Sequence, residues 1–277
     1  MSGRRLAFST LGLAHGSVAE ILALAAKHAI AGVELRSAAE GAIHTGLTAD
    51  ERRTIKAAFA EVGVTVVSVA TYVGLCPVDS EVSLIDEILL AGDLGAGAIR
   101  VFMKDDSTPG GADPGPLTDG ESRAIDRLEE VMDLSARSGV RVLVETHDQH
   151  SSASRLARFM QVLDRAVPGH TVGVIWDTAH PWGHGEELAH SFAALSRWLG
   201  YLQVKDEHTR EDRQPCPLGA GRFPIEELVS LLDEAGWSGW ASLEWENRWH
   251  PELSDLDAAL SALRGWAPGL EVHPGTD

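Results

Sequence analysis

The sequence contains few cysteines and comparatively few basic residues. Cys76 and Cys216 are the only cysteines, too few for a disulfide framework and typical of a reducing compartment. The 23 Lys and Arg residues are outnumbered by 41 Asp and Glu residues, which gives a net charge of −18. Such a surface repels phosphate backbones and anionic lipid headgroups, so we expect neither nucleic acid nor a membrane as a partner.

Long apolar runs are also absent. No stretch approaches the roughly 20 apolar residues that cross a bilayer, and the first residues lack the apolar core of a signal peptide. We therefore expect a soluble, cytoplasmic protein. The chain has 277 residues, of which 44% are hydrophobic and 23% charged, enough to bury a full core and typical in length of a (β/α)₈ barrel.

Short β-rich runs alternate with helical patterns about eight times along the chain, which predicts an α/β protein with a parallel sheet. The predicted strands are Leu6–Ser9, Val33–Arg36, Thr65–Ala70, Ala98–Met103, Arg141–Thr146, Thr171–Trp176, Tyr201–Lys205 and Trp240–Trp245. The clearest predicted helices are Ser17–Ala31, Ala49–Glu61, Glu121–Ser138 and Pro224–Ala235.

Eight such units fit a closed barrel. An open doubly wound sheet is the alternative, but the Gly-x-Gly-x-x-Gly pattern of a dinucleotide-binding sheet does not follow the first strand. No linker divides the chain, so we predict one domain over residues 1–277, with a loose tail at 267–277. The Gly- and Pro-rich segment Ser107–Gly120 is predicted to be a long loop over the barrel mouth.

Each of the last four predicted strands ends in a polar, oxygen-bearing side chain. These residues are Glu145, Asp177, Gln203 and Glu244. One such residue alone would more often be a surface charge, but four in succession at the carboxyl ends of barrel strands converge on the mouth, where active sites form. If alternation turns them all inward, they form a ring of four ligands, with His147, Lys205 and Glu246 one layer higher.

Three carboxylates that face one another would repel and take up protons unless a cation neutralised them. The ring contains only oxygen donors, which suit Mg²⁺ or Mn²⁺ better than a structural zinc ion. We therefore predict one divalent metal ion, Mn²⁺ or Mg²⁺, at the mouth of the barrel. His180, three residues after Asp177, is a candidate ligand or catalytic residue, although a lone histidine in a loop more often has neither role.

Several segments of the second half resemble the motifs of one family, in order. They are Leu143–His147, Trp176–His180, Val204–Asp206, Pro217–Pro224 and Gly239–Glu246. On these motifs the chain, from about Leu6 to Leu263, resembles the xylose isomerase-like TIM barrels, the superfamily of sugar phosphate isomerases and epimerases that also contains AP endonucleases.

The resemblance implies that Glu145, Asp177 and Glu244 are metal ligands, with Gln203 where most members have histidine. Hydroxypyruvate isomerase-like members also have glutamine there. In epimerase-like relatives the residues that match Glu145 and Glu244 are both ligands and the acid/base pair. In these relatives a histidine that matches His180 contacts the substrate, and so does an arginine. Arg213 is the nearest candidate for that arginine in this sequence.

The implied activity is that of a metal-dependent sugar isomerase or epimerase. It would move a proton next to a carbonyl through a metal-stabilised enediolate, on a small ketose, keto-polyol or related sugar. We favour an unphosphorylated substrate, because the segment Gly219–Arg222 offers one clear cation for a phosphate. Homo-oligomerisation is compatible with the sequence.

Three other functions remain as alternatives. A dehydratase or β-eliminating lyase would use the same metal and enediolate. An AP-type endonuclease is disfavoured by the negative charge and because the first four predicted strands end without histidine. A degenerate barrel that binds a ligand without catalysis is the third alternative, since Gln203 is atypical.

Overall fold

Eight parallel strands close into a barrel in the computed structural model, which describes residues 5–105 and 117–266. The barrel strands are β1 (Arg5–Ser9), β2 (Gly32–Arg36), β3 (Thr65–Gly74), β4 (Ala98–Phe102), β5 (Arg141–Glu145), β6 (Gly173–Asp177), β7 (Leu199–Val204) and β10 (Trp240–Leu243). They follow one another around the barrel in chain order, and β10 pairs with β1 to close it. The predicted (β/α)₈ fold is confirmed.

A short antiparallel pair lies between the last two barrel strands. It consists of β8 (Asp206–Glu207) and β9 (Pro215–Cys216). The predicted loose tail and residues 107–116 of the predicted mouth loop lie outside the described residues.

Helices connect the strands and cover the outside of the barrel. They are α1 (Val18–His28), α2 (Ala49–Glu61), α3 (Leu84–Leu94), α4 (Asp119–Glu130), α5 (Met132–Ser138), α6 (Ala153–Ala166), α7 (Ala179–Gly183), α8 (Leu188–Leu195), α9 (Ile225–Glu234) and α10 (Leu256–Trp266). Short 3₁₀ turns cover Thr10–Leu13, Asp148–His150 and Ser196–Trp198. Within residues 5–105 and 117–266, none of the helices combines the length and apolar character that crossing a bilayer requires.

One predicted helix is divided in two. The pattern predicts a single helix over Glu121–Ser138, but Val131 leaves helical geometry with φ −97° and ψ 0°, so α4 ends before it and α5 begins after it. The start is also earlier than predicted. Thr118 and Glu121 form a capping box at the start of α4. The Thr118 side chain accepts the backbone N–H of Glu121, and the Glu121 side chain accepts the backbone N–H of Thr118.

The interior of the barrel has an apolar layer below a polar one. Side chains that alternate inward along the strands form the lower layer: Ala7, Val67, Ala98, Leu143, Ile175, Tyr201 and Trp240. Two residues further along several strands, toward their carboxyl ends, the inward positions are polar. The fold therefore places a buried polar layer directly beneath the mouth.

Candidate active site

Three carboxylates meet at the carboxyl ends of the strands. Glu145 ends β5, Asp177 ends β6, and Glu244 directly follows β10. All three are buried, and each places a carboxylate oxygen within 4.8 Å of the other two. The structure thus brings together three of the four members predicted for the ligand ring.

Gln203, the fourth predicted member, lies in the same layer on β7 and is fully buried. Its Nε2 donates to Glu34 Oε2 at 3.2 Å and to Glu244 Oε1 at 3.4 Å. Tyr201 below donates its hydroxyl to the same Glu34 carboxylate at 2.5 Å. The amide oxygen Oε1 is buried and has no hydrogen-bond partner among the described residues.

Two cations of the chain are buried among these carboxylates. Arg100 on β4 places Nη1 3.3 Å from Glu145 Oε2 and 3.5 Å from Glu244 Oε1. Lys205 places Nζ 2.8 Å from Asp177 Oδ2, 2.9 Å from Glu244 Oε2 and 2.5 Å from Glu246 Oε1. Lys205 and Glu246 therefore lie above the ring, as the alternation predicts.

The carboxylates of the site outnumber its cations. Five acids (Glu34, Glu145, Asp177, Glu244 and Glu246) face two bases, Arg100 and Lys205. Burial, strengthened by the Glu244 charge and opposed by Arg100, raises the pKa of Glu145 to about 8. Burial likewise raises the pKa of Glu34. Burial alone would lower the pKa of Lys205, but the three carboxylates it contacts raise it well above its usual value.

The donor atoms of the ring fit a hard divalent cation. Glu145 Oε2 and Asp177 Oδ2 are buried oxygens that lie within ion-pair distance of Arg100 and Lys205, and the buried Gln203 Oε1 has no hydrogen-bond partner. Three carboxylates, together with an amide oxygen, would form a donor set suited to Mg²⁺ or Mn²⁺. A divalent cation would also favour the ionised form of these buried carboxyl groups.

A cavity of about 300 Å³, the central cavity, opens above the ring. Its floor includes Glu145 and Glu244, and its walls include Tyr72, Phe102 and Trp249. A pocket of this size, with acids below and aromatic rings at the sides, suits a small polyhydroxylated ligand.

Two histidines line one wall of the central cavity, His147 and His180. The His147 ring packs against Phe102 and His180, with centroids 4.5 and 4.9 Å away. Burial acts against a charge on His147, but its bond to Asp148 raises its pKa. Burial and Lys205 lower the pKa of His180 well below its usual value. A neutral His180 that donates from Nδ1 to Thr146 O at 2.6 Å leaves Nε2 as an acceptor toward Lys205 and the cavity.

Arg213, predicted to contact the substrate, does not line the central cavity. Its Nη2 lies 2.9 Å from Glu207 Oε1 and also donates to the Ala179 carbonyl. The segment Gly219–Arg222, a candidate phosphate site in the sequence, already binds a carboxylate of this chain. The Asp206 carboxylate accepts the backbone N–H groups of Gly219, Gly221 and Phe223 at 2.8 to 3.1 Å.

The model of one protein family, the xylose isomerase-like TIM barrel, matches residues 22–266. The chain belongs to this family. Similar solved structures include 3-keto-D-glucoside 4-epimerase YcjR from E. coli, at 18% identity and TM-score 0.72 over 95% of this chain and 98% of that one. The IolI protein with a bound zinc atom matches at 16% identity and TM-score 0.71, over 95% and 96%.

The probable 3-DHS dehydratase AsbF from Bacillus anthracis is similar as well, at 17% identity and TM-score 0.68 over 94% of this chain and 98% of that one. No curated protein matches the sequence. The structural relatives of this xylose isomerase-like barrel are thus sugar epimerases and isomerases together with a dehydratase.

Two charged residues of the site were not found from the sequence, Arg100 and Glu34. Both interrupt apolar strands, in Ala-Ile-Arg-Val-Phe and Gly-Val-Glu-Leu-Arg. Both occupy the inward position two residues after an apolar or glycine position of the lower layer. Strands of a parallel barrel are buried on both faces, so a charged residue inside one of them is unusual. That unusual charge is the signal that would have identified Arg100 and Glu34.

Proposed function

We propose that the protein is a divalent-metal-dependent sugar isomerase or epimerase that moves a proton next to the carbonyl of a small, unphosphorylated ketose or keto-polyol. The observation that carries the proposal is the pair Glu145 and Glu244. These carboxylates approach one cavity floor from strands that lie three positions apart around the barrel. Asp177 lies in one cluster with them, and Gln203 in the same layer offers a buried amide oxygen without a hydrogen-bond partner, which supports a metal site there.

Each residue of the site has a role in this proposal. A divalent cation held by Glu145, Asp177, Gln203 and Glu244 would polarise the substrate carbonyl and acidify the neighbouring C–H. Glu145, on the floor of the central cavity, takes or returns a proton of the substrate. Glu244 performs the opposite transfer. Lys205 holds Glu244 and Glu246 in place through its ion pairs, and His180 Nε2 accepts a substrate hydroxyl.

Solvent exchange tests the two-carboxylate assignment. Protein loaded with Mn²⁺ would be incubated in D₂O with D-fructose, D-tagatose, a keto-inositol or hydroxypyruvate, and deuterium incorporation followed by NMR. We expect exchange into at least one of these compounds. Glu145→Gln and Glu244→Gln should each slow it by roughly 10²- to 10⁴-fold, the usual contribution of a positioned acid or base.

Glu226→Gln is the matched control, because Glu226 is exposed on α9, outside the central cavity. It should exchange at the wild-type rate. If the Glu145 and Glu244 variants also do so, the two-carboxylate mechanism is wrong, and His180 or Lys205 becomes the base to examine.

His147 supports elimination as a second candidate function. Its imidazole lies in the wall of the central cavity, where it could donate a proton to a departing hydroxyl group. The same NMR experiment separates the two reactions. Exchange with the carbon skeleton and its oxygens retained indicates isomerisation or epimerisation, whereas exchange with loss of one water indicates a dehydratase.

A further inference from the structure

A second cavity adjoins the central one. This side cavity, of about 600 Å³, lies between the segment that follows β2 and the start of α3. Tyr72 lines both cavities and is half-buried. Both cavities therefore lie at the carboxyl-terminal mouth of the barrel and share Tyr72 as a lining residue.

The wall of the side cavity contains two buried side chains with unused hydrogen-bonding capacity. Arg36 donates from Nε to the Tyr72 hydroxyl at 2.8 Å and from Nη2 to Glu40 at 2.7 Å, but its Nη1 has no partner. Glu87 accepts the Ser37 hydroxyl at 2.9 Å through Oε1, and its Oε2 has no partner. Buried polar atoms are normally satisfied, so both atoms indicate a polar ligand or ordered water at this wall.

The charge of the side cavity restricts what such a ligand can be. Its lining includes four acids, Glu40, Glu81, Asp86 and Glu87, against Arg36, which is already paired with Glu40. An anionic group such as a phosphate or a uronate would be repelled. Burial raises the pKa of Glu87 to about 7, so its carboxyl can donate as well as accept near neutrality. Neutral hydroxyl groups match these partners.

We propose that the side cavity binds a second, neutral sugar ring, so that the substrate is a glycoside or disaccharide whose keto ring lies in the central cavity. The linkage between the rings would pass over the face of Tyr72. This inference rests on the proposed function for the identity of the central ring. It adds that a monosaccharide in the central cavity would leave the larger, side cavity unused.

Binding of matched sugars tests the inference. The probes are D-fructose and the glucosyl-fructoses turanose, maltulose, leucrose and isomaltulose, which differ only in the position of the linkage. Affinities for the Mg²⁺-loaded protein would be measured by calorimetry. We expect at least one disaccharide to bind about tenfold more tightly than D-fructose, a difference of about 1.4 kcal/mol.

Ala39→Phe fills the side cavity from an exposed wall position. It should remove the disaccharide advantage, and Ala38→Leu is a second filling variant at a neighbouring wall position. Ala57→Phe is the matched control, since Ala57 is exposed on α2 outside both cavities. It should keep the wild-type preference. Circular dichroism would verify that each variant is folded.

Two outcomes would overturn the inference: equal or weaker binding of all four disaccharides, or an advantage that survives in folded filling variants. The measurement does not depend on proton exchange. A disaccharide preference without exchange would contradict the proposed function and leave the side cavity assignment standing. Exchange without a disaccharide preference would do the reverse.

Discussion

At the scale of single residues, Gln203 would set the character of the proposed metal site. As a ligand its amide would contribute a neutral oxygen where an imidazole would contribute a nitrogen, and nitrogen ligands favour softer divalent ions. Gln203→His should therefore retain a bound ion and shift preference from Mg²⁺ and Mn²⁺ towards Co²⁺ and Zn²⁺. Elemental analysis after loading from an equimolar mixture of ions measures the shift.

Gln214→His is the matched control for this substitution, because Gln214 is exposed outside the central cavity. It should keep the wild-type selectivity. If Gln203→His does so as well, the Gln203 side chain is not a ligand, and its contacts with Glu34 and Glu244 are purely structural.

The sequence was informative about the acids of the site and uninformative about their partners. Glu145, Asp177 and Glu244 could be located because each lies at the end of an apolar strand, where the fold itself turns the side chain to the mouth. Arg100 lies in the middle of a strand, and nothing in a one-dimensional pattern shows which carboxylates face it across the barrel. That pairing depends on the closure of the barrel.

At the scale of elements, the close contact of β6 with its neighbours depends on Gly173. A Cβ at this position would lie 2.6 Å from the Trp198 carbonyl oxygen and 2.8 Å from a Leu143 methyl group. A backbone oxygen in a packed barrel cannot move aside, so Gly173→Ala should lower the free energy of unfolding by about 1 to 3 kcal/mol. Chemical denaturation measures the loss.

Gly97→Ala is the matched control in the residue before β4, where the nearest atom to a new Cβ, the Val67 carbonyl oxygen, is 3.7 Å away. Its stability should equal or slightly exceed that of the wild type, because alanine restricts the unfolded chain. Equal stability of both variants would show that the β6 contact relaxes easily.

Hydrophobic periodicity located every barrel strand, because burial on both faces leaves a continuous apolar run. The boundaries were less accurate. β3 continues to Gly74, beyond the predicted end at Ala70, after an irregularity in its pairing with β4. Such an extension depends on pairing with a neighbouring strand, which the local sequence does not contain.

At the scale of the whole molecule, metal binding and folding stability are linked. An ion that binds only the folded state stabilises it, by about 2.7 kcal/mol at a concentration one hundred times its dissociation constant. For a chain of this size we expect Mn²⁺ to raise the Tm by at least about 5 °C. Differential scanning calorimetry with and without Mn²⁺ measures the increment.

Asp177→Ala should abolish this increment, whereas Asp126→Ala should retain it because Asp126 is exposed on α4. The increment is compared rather than the absolute Tm, since Asp177 also accepts the Ala179 N–H and pairs with Lys205. A full increment in Asp177→Ala would remove Asp177 from the metal site.

The Asp206 carboxylate, seated on the N–H groups of Gly219, Gly221 and Phe223, has a consequence for selectivity. A covalently attached anion occupies that nest at a constant, very high effective concentration, which free phosphate in solution cannot match. These three N–H groups are therefore already bound and are not open to a phosphate from solution. For the proposed function, this means that a neutral sugar would forgo no contact here, since it carries no group that such a nest would bind.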